Sequence, residues 1–113
     1  MADDDAASDR EPRFEQSQVE ETATVLRVQG ELDIGSADAL RAALDSAEAA
    51  GTTVIRLDAT GVHFLDSTAL GVILASAQRL SARGGRLELV NASPAVRRIL
   101  DMTLIARTVH LIP

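Results

Sequence analysis

The chain has 113 residues, 46% of them hydrophobic, with 17 acidic residues against 11 basic ones, two aromatic side chains and no cysteine. That length and apolar share fit one small domain with a core of its own, and the lack of cysteine excludes disulfides, thiolate metal sites and a cysteine nucleophile. Residues 1–21 carry eight acids (Asp3, Asp4, Asp5, Asp9, Glu11, Glu15, Glu20, Glu21) against Arg10 and Arg13, and the rest of the chain is neutral, so neither a basic surface nor stacking aromatics argue for nucleic acid.

No apolar run approaches the roughly 18 residues of a membrane span, and the acidic N-terminus has the wrong charge for a signal peptide. A cytoplasmic protein without membrane contact is the expectation. Residues 1–12 are acidic and rich in small side chains, which predicts a disordered, solubilising leader ahead of a domain over 13–113.

From Phe14 the pattern alternates. Phe14–Val19 and Thr24–Gln29 read as two strands joined by a polar turn at Glu20–Ala23. Ser36 is a candidate N-cap for a helix reaching about Ala50, with Leu40, Ala43, Leu44 and Ala47 as its apolar stripe and Gly51 as its stop. Thr53–Asp58 is β-branched and apolar, a strand. Ser67–Arg83 has helical periodicity and ends at Gly84-Gly85. Arg86–Val90 reads as a strand, Ser93–Asp101 as a short helix opened by Pro94, and Thr108–Ile112 as a last strand. Strands alternating with helices predict an α/β fold: a mixed β-sheet of four or five strands with helices packed mainly on one face.

The segment from His63 to Leu74 is the most informative. It puts Asp66 and the hydroxyls of Ser67 and Thr68 where an extended segment becomes a helix. A hydroxyl there can cap free backbone N–H groups; alternatively, a phosphate on it would meet the positive end of the helix dipole. At 100° per residue, Leu70, Ile73, Leu74, Ala77 and Leu80 share one face, and Val72 and Ala75 project to the other beside the hydroxyls. Two exposed apolar side chains are ordinary in themselves, yet a smooth patch beside a modification site suits docking. His63, Asp66 and Ser67 have the residue types of a hydrolytic triad, but adjacency in sequence is not triad geometry. His63 and His110 as a metal pair have no more support.

Four motifs in order resemble those of bacterial anti-sigma factor antagonists, single STAS domains. Gly30-Glu31-Leu32-Asp33 is similar to the Gly-Glu-(Leu/Ile)-Asp that ends the family's second strand. Phe64-Leu65-Asp66-Ser67-Thr68-Ala69-Leu70-Gly71-Val72 resembles the Asp-Ser-(Ser/Thr)-Gly-Leu-Gly-Val signature. Gly84-Gly85-Arg86-Leu87 and the Ser93–Met102 helix resemble the remaining two. The resemblance implies a regulator and not an enzyme, without cofactor or metal and monomeric when free. Unphosphorylated, it would bind an anti-sigma factor that is also an ATP-dependent serine kinase, releasing the sigma factor. Phosphorylation of Ser67 would undo the complex, and a serine phosphatase would reverse it. Asp33, Asp66, Ser67, Thr68, Ala69, Val72 and Ala75 would form the partner-binding surface. Ala69 departs from the motif's glycine and sets a methyl where a partner is expected to approach; Leu104 also replaces a glycine. The alternative is a non-switching STAS subunit of a lipid-transport or sensory scaffold complex.

Overall fold

The computed structural model describes residues 12–20, 22–102 and 108–112. The acidic leader up to Glu11, Glu21 of the expected turn and Leu104 therefore lie outside the described residues. Strands β1 (Arg13–Glu20), β2 (Ala23–Leu32), β3 (Val54–Leu65), β4 (Arg86–Val90) and β5 (His110–Ile112) form one sheet in the order β1-β2-β3-β4-β5. β1 and β2 are the antiparallel hairpin; β2, β3, β4 and β5 run parallel. Helices α1 (Ala37–Ala49), α2 (Ser67–Ala82) and α3 (Pro94–Met102) make the three crossovers. Each parallel strand is added on the same side of the last. Right-handed crossovers then bring every helix to the same face of the sheet.

The core lies between that face and the helices. Leu26, Val28, Leu57, Leu87 and Leu89 point from the sheet to meet Leu40 and Leu44 of α1, Ile73 and Leu80 of α2, and Val96 and Leu100 of α3. The other face carries cross-strand ion pairs, Arg27 with Glu15 and Asp58, and Arg56 with Glu88, and Glu88 also pairs with Arg86 two residues before it on β4. A recess of about 250 Å³ on that face is lined by Arg13, Glu15, Arg27 and Gln29.

β3 runs seven residues beyond the Thr53–Asp58 strand read from sequence. Its buried positions are Ile55, Leu57 and Ala59, then Val62, then Leu65, so the two-residue alternation gives way to a three-residue one. The pairing with β2 shows the reason: Arg27 and Gln29 face Asp58 and Gly61, and Gly30 and Glu31 face Val62 and Phe64, so β3 holds one extra residue at each step. These are two bulges, each of which re-aims the side chains after it. The first is fastened by Asp58, whose carboxylate accepts both the N–H and the hydroxyl of Thr60. Gly30, at φ 101°, lies beside the second, in a conformation that L side chains rarely adopt.

Two local readings are corrected. Ser36 precedes α1 but its hydroxyl caps none of the helix amides. It turns back, donating to the Glu31 carbonyl at 3.0 Å and accepting the Asp33 N–H at 2.9 Å. Val72 does not face solvent: it is 6% exposed and belongs to the core, while Ala75 is half-buried. The projection assumed that only the sheet covers α2, whereas α1 packs along its flank. Ser76, fully buried there, donates its hydroxyl to Glu48 at 2.7 Å, and Arg79 grips the same carboxylate at 2.9 Å. The buried arc of α2 thus extends from Leu70 round to Val72. Burial alone would push the Glu48 carboxyl up; the hydrogen bonds from Arg79 and Ser76, with the charges of Arg79 and Arg83, outweigh it and hold the pKa below its ordinary value.

Candidate functional site

The carboxyl ends of β2 and β3 deliver two connections to one edge of the sheet, the usual place for function in an open parallel sheet. The first, Asp33 to Ser36, closes on itself: Ser36 N–H donates to the Asp33 carbonyl at 3.1 Å, and Gly35 N–H to the Asp33 carboxylate at 2.9 Å. Asp33 is therefore a turn residue, its side chain engaged within its own loop. The second connection is Asp66 alone, between the end of β3 and the first residue of α2.

Asp66 joins the two. Its N–H donates to the Leu32 carbonyl at 3.0 Å, tying the strand ends together. One carboxylate oxygen accepts the Ala69 N–H at 2.9 Å and so caps α2. The other accepts the Ile34 N–H at 3.0 Å, from the loop 32 residues earlier. Asp33 and Asp66 are thus brought to the same end of the sheet, through the residue between Asp33 and Gly35.

The cap removes one of the two readings of the hydroxyls, their use as helix caps. Asp66 satisfies the amide of the first turn that a serine would otherwise serve, and among the described residues no hydrogen bond engages the hydroxyl of Ser67 or Thr68. Both are exposed and both lie in the first turn of α2, so exposure does not choose between them. Ala69 is buried with 0% exposure; its methyl lies in the core and not at the surface, where the resemblance led one to expect a partner contact.

The remaining candidates separate. His110 on β5 lies opposite Glu88, which lies opposite Arg56. His63 is farther along β3 by roughly 20 Å at about 3.3 Å per residue, so the histidines do not form a pair. The Asp66 carboxylate has both oxygens on backbone amides, which removes it from a triad with His63 and Ser67.

Two exposed apolar residues at this edge are not singled out in the sequence reading. Ile34 is 77% exposed in the Asp33 loop, and Phe64 is 48% exposed at the end of β3, opposite Glu31. Ile34 lies off every apolar stripe, between an aspartate and a glycine; that isolation was the available signal. Phe64 was hidden by the second bulge, which turns it away from the core.

A STAS domain profile matches residues 15–113. The chain belongs to the STAS domain family. This STAS domain is 33% identical over 91 residues to the anti-sigma F factor antagonist of Lysinibacillus sphaericus, across 80% of this chain and 78% of that one. The crystal structure of an anti-sigma factor antagonist from Mycobacterium paratuberculosis superposes with a TM-score of 0.81 at 27% identity, covering 92% of this chain and 87% of that one. The anti-sigma factor antagonist SpoIIAA superposes in its unphosphorylated form with a TM-score of 0.76 at 27% identity over 89% of each chain. In its phosphorylated form the TM-score is 0.70 at 26% identity, over 89% of this chain and 92% of that one. The motif resemblance holds at the level of family and fold. No helix among the described residues is long and apolar enough to cross a membrane.

Proposed function

We propose that this STAS domain is an anti-sigma factor antagonist controlled by phosphorylation of Ser67. The observation that carries the reading is the division of labour at the start of α2. Asp66 performs the capping, so the Ser67 hydroxyl is exposed and unengaged at the positive end of a sixteen-residue helix. In its unphosphorylated form the protein binds an anti-sigma factor with ATP-dependent serine-kinase activity and frees the sigma factor. The kinase phosphorylates Ser67, and a serine phosphatase restores the binding form. Among relatives, SpoIIAA is known in a phosphorylated form. Ser67 is preferred to Thr68 because it follows Asp66 as in the family signature.

The chemistry of the switch is electrostatic. A phosphoserine brings about −1.5 to −2 charge at pH 7. The helix terminus tolerates that charge within the domain, but Asp66 beside it makes the surface strongly anionic. Burying it without a counter-charge at an interface is costly, so the complex separates without unfolding the domain. Asp33 shapes the loop, Asp66, Ser67 and Thr68 form the surface, and half-buried Ala75 borders it. The protein acts as ligand and substrate of other proteins and is itself neither catalyst nor cofactor carrier, in the cytoplasm.

The test is incubation with each ATP-binding anti-sigma factor of the host and ATP, with the phosphate mapped by mass spectrometry. Phosphate on Ser67 is expected; Ser67→Ala should stay bound and Ser67→Asp bind poorly. Phosphate on Thr68, or none on either with a partner that binds, would overturn the reading.

A further inference from the structure

We infer that Ile34 is an apolar anchor of the partner-docking surface, seated in an apolar recess of the anti-sigma kinase that is bordered by arginine or lysine. The inference rests on the function proposed above and adds the residue that supplies contact energy.

A lone exposed isoleucine is unremarkable on a protein surface. What distinguishes Ile34 is how it is held. Its own N–H is fixed on the Asp66 carboxylate at 3.0 Å, and the residues on either side are locked by the Asp33 carboxylate accepting Gly35 N–H at 2.9 Å. The side chain is 77% exposed on a backbone that is hydrogen-bonded from within. Binding it therefore orders one side chain and not a loop, which lowers the entropic cost of association. The same Asp66 carboxylate caps α2 at Ala69, so Ile34 and the Ser67 hydroxyl keep a fixed relation.

The arrangement reassigns Asp33. Its carboxylate accepts the Gly35 N–H across Ile34, so it is a positioning residue that presents Ile34. Phe64, 48% exposed, adds a second apolar contact on the neighbouring strand end. Asp33 and Asp66 flank Ile34 and Glu31 lies opposite Phe64, while Asp38, exposed and paired with Arg41, follows in the first turn of α1, so the neighbourhood is rich in acid. An apolar centre with an anionic rim fits a partner face of opposite design. A second copy of this chain would set acid against acid and is disfavoured.

The side chain can be tested without touching the loop, because any residue but proline supplies the same N–H to Asp66. Binding of wild type, Ile34→Ala, Ile34→Asp and Ile34→Val is measured by calorimetry against the host's ATP-binding anti-sigma factors, each expressed alone. Thermal melts and the Ala69 amide resonance verify that the variants keep the Asp66 cap. Expected are losses of about tenfold for Ile34→Ala and about a hundredfold for Ile34→Asp, with Ile34→Val within about threefold of wild type. If a factor binds wild type and Ile34→Asp equally, this inference is wrong while the proposed function stands. If none binds wild type, the proposed function falls and takes this inference with it. Concentration-dependent dimers in sedimentation, lost in Ile34→Asp, would make the occupant a second copy and overturn the assignment.

Discussion

The Glu48 carboxylate receives the Ser76 hydroxyl at 2.7 Å, a contact that seats α1 against the flank of α2 and buries Val72. Val72 is consequently part of the core, and a charge there has no solvent to reach. Val72→Glu should destabilise the domain by about 3 kcal/mol or more, as unpaired buried charge does. Ala75→Glu, at a half-buried position, should cost no more than about 1 kcal/mol. Denaturant unfolding of both variants measures the difference, and equal stability would contradict this helix orientation.

Most of the element order was legible because it rests on local chemistry: glycines that end helices, Pro94 opening α3, and alternation in β1 and β2. What escaped was long-range. A helical projection of α2 identifies Leu70, Ile73, Ala77 and Leu80 but contains nothing about α1, whose approach also buries Ala69, Val72 and Ser76. The end of β3 escaped because bulges break the very periodicity by which a strand is read. At the candidate site, the start of α2 at Asp66, Ser67 and Thr68 was legible from residue type. Ile34 was not, since its importance comes from a hydrogen bond to a residue 32 positions away.

Leu74, half-buried at the edge of the α2 stripe, is a milder core position than Leu80, which is fully buried. Leu80→Ala should cost about 3–5 kcal/mol and Leu74→Ala visibly less, because the void left at an edge can relax or fill with water. Melting both in the same buffer checks the order. The reverse order would place the centre of the core elsewhere on α2.

The Glu48 pairing makes stability pH-dependent. Its pKa is lowered in the folded state, so the folded protein binds this proton less readily than the unfolded chain. The stabilisation is therefore fully present above the ordinary value of 4.5 and is lost as pH falls through the lowered folded value. Glu88 and Asp58 are shifted in the same direction, burial opposing and hydrogen bonds prevailing, and add to the same acid loss. Glu48→Gln should cost about 1 kcal/mol at pH 7, since Arg79 is half in solvent and partly screened. Its deficit relative to wild type should shrink as pH falls below 4.5. Melts from pH 7 downward compare the two; a constant gap would show that the charge contributes nothing.

Asp66 uses its two oxygens on two different amides, and its replacements should be graded accordingly. Asp66→Ala removes both acceptors and should cost about 2 kcal/mol, the sum of a lost cap and a partly exposed hydrogen bond. Asp66→Asn retains one oxygen for the Ala69 N–H but turns an NH₂ toward the Ile34 N–H, donor against donor, and should fall between. Ser67→Ala should be neutral within about 0.5 kcal/mol, because its hydroxyl caps nothing. Amide exchange at Ile34 and Ala69 reads the two bonds separately: Asp66→Asn should accelerate exchange at Ile34 more than at Ala69.

Phosphorylation of Ser67 should leave the fold standing. Two effects on the phosphate oppose each other: the helix terminus attracts it, and the Asp66 carboxylate next to it repels it. Each is on the order of 1 kcal/mol at an exposed position, and their near-cancellation leaves a net change below that. For a domain of this size 1 kcal/mol moves the melting temperature by about 4–8 °C, so the expected shift is a few degrees at most. Helical content should be unchanged in the far-ultraviolet spectrum, and raising the salt should reduce whatever shift is present. The phosphorylated protein, prepared with its kinase, is melted beside the unmodified form. A fall of more than about 10 °C, or a loss of helix, would mean that the phosphate breaks the Asp66 cap and that the switch works by local unfolding instead of at the docking surface.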